Sequence, residues 1–280
     1  MSNRIDVKKT YKLYINGVFP RTESGRTYEV KNAKGDFIAN PCLASRKDLK
    51  DAVVAARAAQ PGWNKATAYN KGQILYRIAE MLEGRSAQFV DEICAVTGVT
   101  KTAAVKEVNE SVDRLVWYAG WSDKISSLTG ALNPVAGPYY NFTIPESMGV
   151  IAAIAPETPS LLGLIDAISP IIVGGNTVVV LASSRAPLSA MSFAEVLATS
   201  DVPAGVINIL TGKKEEIAPW MASHMDIDGF DISGLRKKMH TDIKVAGAEN
   251  LKRIYSFKAA EPGRILAFLE NKTVWHPIGI

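Results

Sequence analysis

Hydrophobic and polar positions follow two rhythms along this chain, and the change falls near its middle. From about residue 45 to 125, apolar residues recur every three to four positions. Ile74, Leu75, Ile78, Ala79 and Leu82 form one stripe, and Phe89, Val90, Ile93 and Val96 form another. A longer helix is expected from about 101 to 125, with Val105, Val108, Val112, Leu115, Val116 and Ala119 on one face. Such spacing puts a side-chain stripe on one side of a helix, where it packs into a core. Ser45 and Asp48 form a capping box ahead of "LKDAVVAARAAQ". Each side chain there satisfies a backbone N–H that the helix start leaves free. Two β patterns come first. "LYINGVFP" (13–20) turns on Asn16-Gly17, a pair that tolerates the positive φ of a two-residue hairpin. "YEVKNAKGDFIAN" (28–40) repeats the pattern around Lys34-Gly35.

The second rhythm starts at 149. Short β-branched runs alternate with helical segments. "GVIAAIAP", "NTVVVLA", "GVINILTG", "DIDGFDIS" and "LKRIYSFK" read as strands. "SLLGLIDAISPIIVGG", "PLSAMSFAEVLATS" and "EEIAPWMASH" read as the helices between them. Near-continuous apolar strands separated by helices imply βαβ units, a parallel sheet covered on both faces and right-handed crossovers. Between the two halves, "TGALNPVAGPYYNFTIPESMG" (129–149) is rich in Gly, Pro and aromatics, with a strand-like centre at Tyr139 to Ile144. It fits an edge hairpin or a projecting arm. The tail "GRILAFLENKTVWHPIGI" holds one or two strands.

Composition narrows the class. The 280 residues are 47% hydrophobic and 21% charged, as in an ordinary globular protein. A net charge of +4 is too small and too dispersed to argue for nucleic acid. The densest basic cluster, "RKKMH" at 236–240, reads as a solvated helical face. The apolar run around 161–182 is broken by Asp166, Pro170, Gly174, Gly175 and Asn176, so no membrane span is expected. The polar start "MSNRIDVKKTYK" carries no signal-peptide pattern. Cys42 and Cys94 are far apart, in no CxxC, and fit free thiols in a reducing cytoplasm.

Familiar catalytic patterns are missing. There is no GxGxxG, GxxxxGK[ST] or GxSxG. His224, His240 and His276 lack metal-ligand spacing, so no metal is expected. Cys94 sits among Phe89, Val90, Ile93 and Val96 and is expected to be a buried, inert thiol. Cys42 has no obvious base nearby. Glu157, in "PETPS", is the one carboxylate expected at the C-terminal end of a strand, where ligands of such sheets sit.

The series "GVIAAIAP", "SPIIVGGNTVVV", "PAGVINILTG", "SHMDIDGFDISG" and "AENLKRI" resembles the aldehyde dehydrogenase superfamily in order and spacing. "LYINGVF", "LKDAVVAARAAQPGWNKATAYNKGQILYRIAEMLE" and "VDRLVWYAGWSDKI" are similar to its N-terminal helical layer. The resemblance covers residues 10 to about 255. It implies a Rossmann-like α/β sheet with helices on both faces, an N-terminal helical layer and a protruding β arm. The division it implies is 1–128 for hairpins and helical layer, 149–261 for the α/β part, and 129–148 with 262–280 for an oligomerisation arm and strand. It also implies that the catalytic domain is absent. After "NLKRI" comes "YSFKAAEPG", where the family carries a Leu-Gly-Gly motif with its general-base glutamate. No catalytic residue can be carried over.

The cofactor half departs from the family as well. Ile154 and Pro156, at the end of the first strand, belong to the degenerate cofactor site that the resemblance implies. The family's Pro-Trp-Asn-Phe becomes Pro156-Glu157-Thr158-Pro159, so Thr158 replaces an oxyanion-hole asparagine. Its Lys-Pro-x-Glu, whose charges hold the adenosine ribose, becomes Leu181-Ala182-Ser183-Ser184. Its Gly-x-Gly becomes Gly212-Lys213-Lys214, with Lys214 expected to fill the adenine slot. Ser233, Gly234 and Leu235 stand where a Gly-Ser would face the pyrophosphate. Losing two charged hydrogen-bonding groups removes about 3–6 kcal/mol, or ~10²–10⁴ in affinity. No cofactor is therefore expected, with NAD or NADP at most weakly bound. The resemblance points to a non-catalytic subunit that assembles with itself, with a full-length aldehyde dehydrogenase, or with both, like the degenerate second module of tandem-module members. A residual NAD(P)-dependent oxidoreductase and a sensor using the vacated cleft are the alternatives.

Overall fold

The computed structural model describes residues 9–279. Most of the polar start on which the signal-peptide reading rests, and the last residue of the 262–280 segment, lie outside them. The Asn-Gly turn forms as its residues dictate. Ile15 and Val18 bridge across Asn16 and Gly17, whose φ angles are 53° and 74°. The second pattern gives β1 (Val30–Lys31) and β2 (Phe37–Ala39), paired antiparallel.

The helical layer comprises α1 (Arg46–Lys65), α2 (Ala68–Glu83), α3 (Ser86–Thr97) and α4 (Lys101–Ala119), with a short α5 (Ile125–Thr129). The capping box at Ser45 is complete. Asp48 N donates to Ser45 Oγ, and Ser45 N to Asp48 Oδ2. The stripes of α2 and α3 bury the expected residues except Ile74, which is partly buried. α4 differs in two ways. It stops at Ala119, before Gly120, rather than near 125. Its buried face is Ala104, Val108, Ser111, Leu115 and Tyr118, while Val105 and Val116 are exposed. Two of those buried positions are small residues, which a hydropathy pattern undercounts.

The second half forms β5 (Val150–Ile154), α6 (Ser160–Val173), β6 (Thr177–Leu181), α7 (Leu188–Leu197), β7 (Ile207–Leu210), α8 (Lys214–Ser223), β8 (Gly229–Asp231), α9 (His240–Ala248) and β9 (Arg253–Tyr255). The five strands make one parallel sheet in the order β7-β6-β5-β8-β9. Alternate strand residues point to opposite faces, and the core divides accordingly. Ile151, Ala153, Val178 and Val180 pack with the apolar stripes of α2, α3, α4, α6 and α7. Val150, Ala152, Ile154, Val179 and Leu181 pack with those of α1 and α8. Arg236, Lys237 and Lys238 are exposed just before α9, in keeping with a solvated cluster. Cys42 is the buried thiol, at 4% exposure, whereas Cys94 is only half-buried. The apolar neighbours of Cys94 cover one side of α3, and its own position falls at the edge of that stripe.

The chain closes with α10 (Gly263–Leu266) and β10 (Leu269–Pro277). Ile265 and Phe268 join the main core. β10 pairs antiparallel with β4 (Tyr139–Ser147) along its full length, from Leu269 opposite Ser147 to Pro277 opposite Tyr139. The short β3 (Ala131–Leu132) lies on the other side of β4. This second sheet leaves Leu132, Tyr139, Tyr140, Ile144 and Trp275 exposed.

Candidate functional site

Strand order reverses beside β5. The chain lays down β6 and β7 on one side of it, then returns to place β8 and β9 on the other. In open parallel sheets that reversal makes a crevice beyond the C-terminal strand ends, where ligands bind. Here its walls are the turn after β5 and the turn after β8. They touch. Gly234 N donates to the Ile154 carbonyl at 3.1 Å. A Cβ at Gly234 would overlap the carbonyl oxygens of Ile154 and Ala155, so only glycine permits this approach.

Lys214, the first residue of α8, fills the space that is left. Its Nζ donates to the Ala155 carbonyl at 2.6 Å and the Gly234 carbonyl at 3.1 Å, and pairs with Glu157 Oε1 at 2.9 Å. An ammonium has three donors, so these partners satisfy it completely. Its side chain is 7% exposed. Glu157 is equally engaged. Ser184 Oγ donates to its Oε1 at 2.9 Å, while Ser183 Oγ and Arg185 N donate to Oε2 at 2.9 and 3.1 Å. Burial pushes the Glu157 carboxyl up, but Lys214, the Arg185 N–H and Ser183 outweigh it and hold the group below its ordinary value. Burial pulls Lys214 below its ordinary value, and Glu157 restores only part of that. Both directions follow from an ion pair whose carboxylate is the better solvated partner.

The start of α6, after the cis Thr158–Pro159 peptide, is also occupied. A helix N-terminus presents free N–H groups to an anion, and Pro159 supplies no side-chain cap. Glu107 of α4 takes that role, accepting from Leu161 N at 2.8 Å. Burial raises the Glu107 carboxyl above its ordinary value, against the pull of the Leu161, Leu162 and Ser160 N–H groups.

At the end of β8, Asp231 is buried and paired with Arg264 of α10 at 2.7 Å. Asp231 Oδ1 accepts from both Ser233 N and Ser233 Oγ. Arg114 and Asp166 form another ion pair between α4 and α6. Arg264 Nε and the Tyr118 hydroxyl are buried with no hydrogen-bond partner among the described residues.

The family model described as "Aldehyde dehydrogenase family" matches residues 19–256. The chain belongs to the aldehyde dehydrogenase family. It is 32% identical over 277 residues to an aldehyde dehydrogenase of Emericella nidulans, covering 96% of this chain and 54% of that one. It is also 32% identical over 258 residues to the cytosolic 10-formyltetrahydrofolate dehydrogenase of Xenopus tropicalis, covering 90% of this chain and 28% of that one. An aldehyde dehydrogenase structure from Bacillus cereus in complex with NAD superposes with a TM-score of 0.82 at 26% identity, over 88% of this chain and 50% of that one. PnpE from Pseudomonas sp. WBC-3 gives 0.84 at 27% identity, again over 88% and 50%. The chain thus spans about half the length of several aldehyde dehydrogenases it matches.

Within this family member, the residues singled out in the sequence divide into three groups. Ile154, Lys214, Gly234 and Ser184 converge on the crevice, Ser184 through Glu157. Leu181, Gly212 and Leu235 are buried, and Leu181 and Leu235 pack in the core beside the crevice. Pro156 is partly buried, Thr158 exposed, and Ser233 turns its hydroxyl toward Asp231. Glu157, singled out in the sequence as the carboxylate at the end of a strand, lies against Ser184. Glu107, Asp231 and Arg264 were not found from sequence. Arg264 carried the one usable signal, a lone charge beside the apolar run "ILAF".

Proposed function

We propose that this aldehyde dehydrogenase family protein is a non-catalytic subunit that assembles with itself, with a full-length family member, or with both. The observation that carries it is Lys214, whose ammonium holds the Ala155 and Gly234 carbonyls and Glu157 Oε1 at the crevice. Two features of the crevice support weak cofactor binding. The ribose-side carboxylate is saturated, and the α6 N–H groups already hold Glu107. On this reading NAD or NADP binds weakly or not at all, and aldehyde oxidation belongs to the partner. The two thiols support no nucleophile role. Cys42 packs in the core, and Cys94 lies on α3 in the helical layer. The paired β4 and β10, with exposed Tyr139, Tyr140 and Trp275, supply a surface for assembly. Placement in the cytoplasm is part of the same proposal and rests on two free cysteines. No helix among the described residues is long and apolar enough to cross a membrane.

The test has two arms. Calorimetry with NAD and NADP is expected to give no binding tighter than about 100 μM. Light scattering after size exclusion, alone and with a co-expressed full-length homologue, is expected to give particles larger than the 30.2 kDa chain. Micromolar cofactor binding, or a monomer that ignores the homologue, would overturn the proposal.

A further inference from the structure

We propose that the cleft between α5 and α10 is a binding site for one small neutral hydrocarbon, with a single aromatic ring as the best match. This goes beyond the functional reading above and does not rest on it. Trp121, Ile125 and Leu128 form one wall of the cleft, and Ile265 and Leu266 form the other, around a cavity of about 130 Å³. The gap follows from the shortness of the two helices. α5 has five residues and α10 four, so each offers a single turn to the contact. Within α10, Arg264 is committed to Asp231 and Ile265 reaches the core. Ile125 and Ile265 therefore make a buried floor, while Leu128 and Leu266 stand exposed at the mouth.

The lining selects the chemistry of the occupant. The Thr129 hydroxyl donates to the Ile125 carbonyl at 2.6 Å. The Pro262 carbonyl accepts from Ile265 N at 2.9 Å, and proline brings no N–H of its own. The Trp121 indole N–H makes no bond within the described residues and is open to water. No charged side chain among the described residues lines the cavity. An ion entering it would lose hydration and find no partner. A trapped water needs about two to four polar partners, so the cavity does not hold one. Dry apolar cavities of ~150 Å³ take benzene or xenon. The volume lies well below the ~300–1,000 Å³ of sites for drug-sized ligands, which excludes a nucleotide. A rigid ring fills such a space with no torsion to freeze, whereas a flexible chain loses rotational freedom. The ring also meets the Trp121 indole, and aromatic pairs attract beyond their area burial.

The experiment uses the full chain and toluene as the probe, with benzoate and benzylammonium as charged counterparts of the same ring. Titration calorimetry is expected to give one toluene site with a Kd of about 1 mM or tighter, and no measurable binding of either ion. In heteronuclear NMR, the indole N–H signal of Trp121, assigned by its loss in Trp121→Phe, is expected to shift on adding toluene. Leu128→Ala with Leu266→Ala removes the mouth and is expected to weaken toluene binding at least about tenfold. Both leucines are exposed, so this variant should keep the wild-type denaturant midpoint. If it unfolds, Leu266→Asp, which puts a charge at the mouth, takes its place with the same expected loss. Absence of toluene binding, a Trp121 signal that stays still while toluene binds, undiminished binding by the folded variant, or equal binding of benzoate or benzylammonium overturns the proposal. A fall in particle mass on adding toluene, seen by light scattering, would assign the cleft to a side chain of a second copy and overturns it as well.

Discussion

The crevice of the parallel sheet and the β4–β10 sheet meet the same problem, polar or apolar groups left facing outward, and treat it in opposite ways. In the crevice the charged groups have internal partners. Lys214 joins Glu157 and two carbonyls, and Glu107 caps α6. In the β4–β10 sheet, large apolar side chains stay uncovered, including Trp275 at 58% exposure and Leu132 at 65%. A surface finished from within offers nothing to a ligand. One left exposed gains from being covered, since each buried Å² of apolar area contributes about 25 cal/mol. On the proposed reading, the surface for assembly is the β4–β10 sheet, rather than the strand ends where the fold usually places a ligand.

The comparison breaks most visibly at the sealed end of the sheet. Arg264→Met leaves Asp231 buried without its partner and should cost about 3–5 kcal/mol in denaturant unfolding. Replacing both partners with apolar residues should recover most of that loss. A mild effect from the single change would mean that this end is open to water.

Glu157→Gln should cost about 1.5–3 kcal/mol near neutral pH, because Lys214 loses a charged acceptor. The sign of its pH dependence follows from a carboxyl held below its ordinary value of 4.5. That contribution is complete above 4.5 and is lost as pH falls below it, so wild type and variant should converge in acid. Parallel melting curves down to low pH would show that the pair does not form.

Tyr118→Phe should raise stability by about 1 kcal/mol, since its buried hydroxyl has no partner among the described residues. A loss instead would reveal a bound water at that hydroxyl. Trp275→Ser should change unfolding free energy by no more than ~0.5 kcal/mol. It should nevertheless lower the particle mass in light scattering, separating stability from assembly. Unchanged mass would remove Trp275 from any assembly surface.

The sequence by itself determined what depends on neighbours a few residues apart. The turn at Asn16-Gly17, the capping box at Ser45 and the strand–helix alternation after residue 149 are local, because backbone geometry and side-chain periodicity act over one or two turns. The departures at Leu181 and Ser184 were legible only through the resemblance to the family, position by position. Only the tertiary structure decided the rest. Lys214 meets the carbonyl of a residue 59 positions earlier, Glu107 caps a helix 54 positions later, and β10 pairs with a strand more than a hundred residues upstream. Such meetings depend on strand order and on the right-handed crossovers that set it. A lysine that reads as an obstacle in the sequence becomes, once the sheet has folded, the group that closes the site.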